Sequence, residues 1–194
     1  MEIKTAQQDM QSVFLRGSIG QMVSGLIWLG SAMLGTWVSE QTAIAVLVLV
    51  GIFVFPLTQL TLRLFGRSGR LPKSHPLNQL AMQVAFIVPF SLPVVGAASL
   101  YNINWFYPAF MLIVGTHYMP FIFLYGMWEF AVLSALLIGG GVTIGILLPH
   151  TFVIGGWFTA IVLLLFSALV QVTPRLSRRT GPQSKISYIN TKTN

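Results

Sequence analysis

The residues with the clearest potential for chemistry lie in a short polar segment, residues 115–120, inside a long apolar stretch of the chain. His117 is the ionisable residue of this segment, and an imidazole can donate and accept hydrogen bonds or relay a proton. An ionisable side chain at the middle of a membrane is costly, so its presence points to a functional site. We therefore predict a mid-membrane substrate-binding site whose members are His117, Thr116, Tyr118 and Gln83. The alternative is that His117 hydrogen-bonds a neighbouring helix and only fixes packing.

Prolines interrupt the apolar pattern at four positions: Pro56, Pro89, Pro93 and Pro120. A proline inside a helix removes one N–H donor and leaves a carbonyl oxygen without its helical partner. For Pro120 that oxygen belongs to Thr116, beside the imidazole. We predict a helix break at each proline and a bend where Pro89 and Pro93 stand four residues apart. Such breaks either accommodate packing or expose carbonyl oxygens to a cavity, and both interpretations stay open.

Glu129 is the one formally charged side chain between Ser74 and Pro174. About 18 Å of helix separates it from His117, at about 1.5 Å per residue, so the sequence predicts no direct contact between them. A carboxylate is favoured at the positive end of a helix dipole, and we expect Glu129 to begin a helix. The alternative role is an entry point for a proton or a cation.

Other kinds of chemistry find little support in the residues. The chain contains no cysteine, which excludes thiol catalysis and thiolate metal sites. The three histidines, His75, His117 and His150, fall at different depths of the predicted spans, so we predict no shared metal ion. We also find no carboxylate pair and no serine–histidine–acid set. The residues therefore predict no cofactor and favour a function other than catalysis, without deciding it.

Six apolar segments are long enough to position these residues within a membrane. A helix needs about 20 apolar residues to cross a hydrocarbon core of about 30 Å. With 55% hydrophobic and 8% charged residues, the chain is too apolar for a soluble protein. The sequence predicts an all-α polytopic transmembrane helix bundle in a single domain, residues 1–172, followed by a basic, disordered tail, residues 173–194. Its six spans are roughly residues 18–38, 42–62, 77–98, 105–125, 130–148 and 152–172.

The basic residues fall on one side of this six-span topology. The chain has 11 lysines and arginines and a formal net charge of +7. They lie in three places, the N-terminal arm, the loop after the second span and the tail: Lys4, Arg16, Arg63, Arg67, Arg70, Lys73, Arg175, Arg178, Arg179, Lys185 and Lys192. By the positive-inside rule that side, with both termini, is cytoplasmic, and we expect a multi-pass protein of the bacterial inner membrane.

The same charges predict the partners of the protein. Basic residues beside apolar spans favour anionic lipid headgroups and argue against nucleic acid. The residues predicted to contact the headgroups are Arg63, Arg67, Arg70, Lys73, Arg175, Arg178 and Arg179. Small residues four apart, such as Gly141 and Gly145, allow close helix contact inside one bundle or within a homo-oligomer.

The segment Gly115–Tyr125, read as G-T-H-Y-M-P-F-I-F-L-Y, resembles a family of small bacterial membrane proteins described as a domain of unknown function. Phe55–Pro56 before the basic loop and Pro76–Asn78 after it strengthen the resemblance, which extends over roughly residues 10–172. The resemblance implies the same number of spans and a prominent place for His117, and it implies no activity.

Two functions therefore compete at the level of sequence. The first is a small transporter or channel-like protein that handles an unidentified small solute at a polar site around His117. The alternative is a non-catalytic membrane scaffold that binds a partner protein or lipid through its basic side.

Overall fold

The structure is a computed structural model that describes residues 2–67 and 69–180, with side chains described up to Val172. The described residues form helices and connecting turns, with no strand among them, so the predicted all-α fold is confirmed. The helices are α1 (Ile3–Val13), α2 (Ser18–Trp37), α3 (Glu40–Gly51), α4 (Val54–Leu64), α5 (Asn78–Tyr101), α6 (Phe106–Tyr125), α7 (Glu129–Leu147) and α8 (Ile154–Thr180).

Five helical segments within the described residues are long and apolar enough to cross a membrane, namely those of α2, α5, α6, α7 and α8. The pair α3 and α4 passes the same test when taken together, with a bend of 59° between its halves. Counting this pair as one broken span raises the total to six.

The second predicted span, residues 42–62, consists of two helices, α3 and α4, with a break just before Pro56, one of the four predicted positions. The chain leaves helical geometry at Phe53, where ψ is 3°. Pro56 follows in the first turn of α4, a position where its missing N–H would find no intrahelical partner in any case. The proline is thus compatible with a new helix start and not with the interior of a continuous helix.

The other three prolines do not end their helices, which corrects the predicted breaks. α5 runs through both Pro89 and Pro93, and α6 runs through Pro120. Each proline removes one N–H from the ladder of its helix, while the hydrogen bonds on either side remain. In an apolar environment the backbone has few partners other than itself, so the helix continues.

The N-terminal arm, which precedes the first predicted span, forms α1. Its apolar residues recur at helical spacing, and two of them, Ala6 and Met10, are buried. α1 packs against α6 at the end where α6 stops. The signal was present in the sequence as a short amphipathic pattern, too short and too polar to resemble a span.

Two glutamines attach α1 to the end of α6. Gln7 Nε2 donates to the carbonyl oxygen of Phe123, and Gln11 Nε2 donates to that of Tyr125, both at 2.6 Å. The last carbonyls of a helix lack regular intrahelical partners, and these amides bond two of them, although that of Phe123 also accepts from the Gly126 N–H at 3.4 Å. α1 is therefore held by side-chain hydrogen bonds as well as by its apolar face.

At the other end of the chain, α8 continues to Thr180, beyond the predicted end of the last span. Residues 173–180, the first part of the predicted tail, are helical. The rest of the predicted tail, residues 181–194, lies outside the described residues.

The spans assemble around two helices. α2 packs against α3, α4 and α8, while α6 packs against α5 and α7, and contacts of α8 with α6 and α7 join the two groups. A buried hydrogen-bond chain crosses between them, because Ser31 Oγ of α2 lies 2.7 Å from Tyr107 Oη of α6 and donates to the Ala43 carbonyl at 2.9 Å. Serine hydroxyls and small residues thus hold helices that lipid alone would not drive together.

The small-residue pair predicted for close contact is used inside the chain. A methyl group on Gly141 would lie 3.0 Å from the carbonyl oxygen of Pro108, and one on Gly145 would lie 3.3 Å from the Pro108 side chain. This face of α7 is therefore occupied by α6, and it does not remain open for a second copy.

α1, the start of α2, the loop between α4 and α5 and the junction of α6 with α7 share one end of the bundle. Contacts between Gln7 and Phe123, Arg16 and Glu129, and Asp9 and His75 establish this. We call it the basic end, because the basic residues of the loop lie there.

Candidate functional site

His117 lies in α6 at its contact with α5. The imidazole is half-buried, with ring centroids 5.5 Å from Tyr118 and 5.1 Å from Phe121, and it interacts with the backbone of Val84 in α5. Its Nδ1 atom is buried without a hydrogen-bond partner among the described residues. His117 therefore lies in a helix–helix contact in which its Nδ1 atom lacks a hydrogen-bond partner among the described residues.

Two of the residues predicted to join His117, Thr116 and Gln83, have exposed side chains. Thr116 is exposed, and its hydroxyl donates to the carbonyl oxygens of Leu112 and Ile113 in its own helix, at 3.0 and 2.9 Å. Gln83 is exposed on α5, although the adjacent Val84 is buried. The shared site of Thr116, Gln83 and His117 therefore stays a prediction, with Thr116 bonded to its own helix and Gln83 exposed beside Val84.

Tyr118 is buried and faces the opposite way, towards α2. Its phenol interacts with the side chains of Ser24 and Gln21. Gln21 is 2% exposed, and its Oε1 atom has no hydrogen-bond partner among the described residues. The sequence showed Gln21 as an amide inside a span, which was the available signal, but it could not show that α2 turns this amide towards α6.

Two grooves on the surface of the described bundle do not reach His117. One groove of about 360 Å³ lies between α6 and α7, bordered by Met119 and Ile122 on one side and Ser134 on the other. A second groove of about 200 Å³ lies between α7 and α8 near Glu129. Their walls are almost entirely apolar, and neither includes the imidazole, so they do not form a polar passage to it.

The basic end contains an unusual turn between α1 and α2. Three successive residues have positive φ, with values of 49° at Leu15, 58° at Arg16 and 81° at Gly17. A left-handed conformation costs a non-glycine residue about 1–2 kcal/mol, so Leu15 and Arg16 hold strained backbone. Such strain persists where surrounding contacts compensate for it, and it is concentrated at functional sites.

Arg16 makes the compensating contact. Its Nη2 atom lies 3.3 Å from Glu129 Oε1, with the two side chains 25% and 29% exposed. Glu129 is the first residue of α7, where the helix dipole favours a carboxylate, as the sequence indicated. The pair therefore joins the strained turn to the start of α7.

The predictions from sequence missed the partner of Glu129. Both charges begin predicted spans on the same side of the bilayer, and Glu129 stands without another charge in its stretch of sequence. That coincidence was the available signal, but the lateral arrangement of α2 and α7 was needed to decide the pairing.

An aromatic cluster around Phe130 packs against the turn at Gly17. The rings of Phe121, Tyr125 and Phe166 all lie 5.1–5.3 Å from the ring of Phe130, centroid to centroid. A methyl group on Gly17 would lie 3.1 Å from Phe130 Cζ, so glycine lets the backbone rest on these rings. The contact of Gly17 with Phe130 thus helps to position the neighbouring Arg16.

The loop between α4 and α5 carries basic side chains on the outside and buried residues beneath. Its exposed cationic residues are Arg67, Arg70 and Lys73, and Arg63 is exposed in the last turn of α4 just before it. Gly69, His75 and Leu77 are buried, and His75 Nδ1 accepts a hydrogen bond from the Leu77 N–H at 3.3 Å. The loop is therefore folded onto the bundle. Arg175, Arg178 and Arg179, predicted to contact lipid as well, lie in the last part of α8, where only the backbone is described.

Comparison with known proteins agrees with the resemblance seen in the sequence. No curated protein and no solved structure matches the chain. A family model described as a family of unknown function, DUF7010, matches residues 3–173. That match covers nearly all of the helical bundle, including the strained turn, the basic loop and His117. The chain therefore belongs to the DUF7010 family.

Proposed function

We propose that this membrane protein is a non-catalytic docking platform whose basic end binds anionic lipid headgroups. The observation that carries the proposal is the loop between α4 and α5, which exposes its cations while Gly69, His75 and Leu77 are buried against the bundle. A loop fixed in this way presents charges at defined positions, as a recognition surface requires.

The buried residues determine the path of the loop. Leu62 is fully buried just before it, and Leu77 is 4% exposed just after it. Gly66 and Gly69 have φ values of 70° and 60°, which glycine adopts without strain. A methyl group on Gly69 would collide with the side chain of Gln59, so the loop turns tightly against α4.

The charge of the loop fits an anionic surface. Residues 63–77 contain four basic residues and no acidic one, on the end of the bundle where α2 and α7 begin. Each lysine or arginine near an anionic membrane surface contributes about 1 kcal/mol to attraction. Because the loop joins two segments that are candidate spans, the proposal assigns its charges a role in selecting lipids rather than in bringing the protein to the membrane.

A lipid-enrichment experiment tests the proposal. The full chain, native or with Arg63, Arg67 and Lys73 all changed to Gln, is purified from mixed vesicles of phosphatidylcholine and phosphatidylglycerol, and the retained lipids are quantified. We expect phosphatidylglycerol enrichment to fall at least about fivefold in the variant, since one charge at about 1 kcal/mol corresponds to that factor. The matched control changes Arg63 and Arg67 to Lys, which retains charge. Equal enrichment in native and Gln variants would contradict the proposal.

Proton transport is a second candidate, favoured by two observations. The His117 Nδ1 atom is buried without a partner among the described residues, which leaves it available to a proton. The broken span α3–α4 also resembles the interrupted helices that transporters use to expose backbone groups.

Proteoliposomes that enclose a pH-sensitive dye test this second candidate. A pH gradient across vesicles containing the native chain should collapse faster than across protein-free vesicles, and His117→Ala should remove the difference. Thr116→Val is the matched control, because its hydroxyl bonds only to its own helix among the described residues. Native protein that conducts no protons above the protein-free rate would eliminate this candidate.

A further inference from the structure

The groove between α7 and α8 combines an apolar lining with one charged end, which matches the apolar chains and polar headgroup of a phospholipid. It has a volume of about 200 Å³, and its lining is apolar apart from one carboxylate. The lining residues are Trp128, Glu129 and Val132 of the α7 side, with Phe166, Leu169 and Val170 of α8. An apolar trough with one charged end matches an acyl chain and its headgroup better than it matches a soluble solute.

The groove also has the orientation of a phospholipid. Glu129 is the first residue of α7, and Val132 lies one turn further into the helix. Phe166 and Val170 belong to the last turns of the apolar part of α8, which ends at Val172. The carboxylate is therefore at the headgroup level and the apolar wall extends from it. Trp128, 70% exposed beside the carboxylate, is a residue type that favours this interface.

The charged end of the groove is a pair of opposite charges. Arg16 Nη2 meets Glu129 Oε1 through a single contact at 3.3 Å, and this is not a bidentate pairing. Arg16 Nε is buried and has no hydrogen-bond partner among the described residues. That buried N–H is closed to a ligand in the groove, but the single contact leaves further guanidinium N–H donors and a second carboxylate oxygen on side chains that are 25% and 29% exposed.

The turn that carries Arg16 is strained, and this strain is independent evidence for a role. Leu15 and Arg16 are left-handed, at φ values of 49° and 58°. A sequence that needed only a connection between α1 and α2 would place glycine or asparagine at such positions. The fold instead accepts the strain and positions a guanidinium against Glu129, a residue that lines the groove.

From the groove, the charge pair and the strained turn together, we propose that this groove binds a phospholipid whose headgroup joins a phosphate to a primary ammonium. The phosphate accepts hydrogen bonds from Arg16, the ammonium donates to Glu129, and an acyl chain lies along Phe166 and Val170. A headgroup with a phosphate alone would meet the negative charge of Glu129. A quaternary ammonium would bring no N–H donor to the carboxylate.

This site is separate from the basic loop and does not depend on the docking function proposed above. Its ligand is zwitterionic, whereas the loop favours anionic lipids. Substitution of Glu129 should leave phosphatidylglycerol enrichment unchanged, and loss of the loop charges should leave the groove unchanged.

Photo-crosslinking with three phospholipids tests the assignment. The full chain is reconstituted in phosphatidylcholine nanodiscs with a small fraction of lipid that carries a diazirine in one acyl chain. The headgroup of that lipid is ethanolamine, choline or glycerol, and labelled peptides are mapped by mass spectrometry. We expect ethanolamine lipid to label residues 128–132 and 166–170 about fivefold more than choline lipid, the factor for about 1 kcal/mol. The groove beside Met119 is the internal control, where all three lipids should label equally.

Variants distinguish the headgroup contact from general lipid exposure. Glu129→Gln should reduce ethanolamine labelling to the choline level, while Glu129→Asp should retain most of the preference. Glu40→Gln, at the opposite end of the bundle, is the matched control and should change nothing. Equal labelling of the groove by choline or glycerol lipid, or an ethanolamine preference that survives Glu129→Gln, would overturn the proposal. The comparison of headgroups on the native protein decides the matter even if a variant fails to fold.

Discussion

Replacing Gly17 by alanine should destabilise the bundle, because this residue combines a left-handed backbone with a close contact. Its φ is 81°, and an added methyl group would lie 3.1 Å from Phe130 Cζ and 3.3 Å from Gln21 Oε1. The left-handed conformation costs alanine about 1–2 kcal/mol. The crowded methyl group adds about 1 kcal/mol, since Phe130 is fully buried and shifts little. We therefore expect a loss of about 2–3 kcal/mol in the free energy of unfolding.

The matched control is Gly30→Ala in the same helix, where an added methyl group meets nothing within 4 Å. Alanine is favoured over glycine inside a helix by about 1 kcal/mol, so this variant should be equal to the native protein or more stable. The free energy of unfolding is measured by titration with sodium dodecyl sulfate in mixed micelles, followed by circular dichroism and tryptophan fluorescence. If Gly17→Ala unfolds at the same detergent fraction as Gly30→Ala, the left-handed turn described here is wrong.

Three further outcomes follow from the same contacts. Ser31→Ala and Tyr107→Phe should each lower the free energy of unfolding by about 0.5–2 kcal/mol. Because the two side chains share one hydrogen bond, the double variant should lose less than the sum of the single losses, and additive losses would contradict that bond. Arg16→Gln and Glu129→Gln should show a coupling of about 0.2–1 kcal/mol in a double-mutant cycle, and no coupling would exclude a stabilising pair. Thr116→Val should change stability by less than about 0.5 kcal/mol in the same titration, and a larger loss would mean that its hydroxyl reaches another helix.

The number and placement of the long helices could be anticipated because each apolar segment meets the membrane requirement by itself. The start of α2 at Ser18 and of α7 at Glu129 agree with the predicted spans to within about one residue, the uncertainty of helix ends in general. The break between α3 and α4 was harder to predict from the sequence. Pro56 suggested it, but Pro89, Pro93 and Pro120 gave the same signal in helices that continue.

The composition of the candidate sites was harder to anticipate than the helices. His117 was visible as an ionisable residue in an apolar segment, yet the structure places Thr116 and Gln83 on exposed surfaces. A change of one residue along a helix rotates a side chain by about 100°, so neighbours in sequence such as Thr116 and Tyr118 face different surroundings. The Arg16–Glu129 pair likewise depends on how α2 and α7 approach each other, which no local pattern encodes.

The sequence by itself determined an all-helical chain with spans of membrane length and basic residues gathered in a few places. It could do so because the hydrocarbon layer sets the length of each segment and excludes charge from it, independently of the other segments. Only the tertiary structure decided which faces meet. Helices that are apolar on every side carry no amphipathic pattern to orient them, and lipid is as apolar as their own side chains. The joining of Arg16 to Glu129 above Phe130, and the groove beside them, therefore arises from packing between residues far apart in the chain.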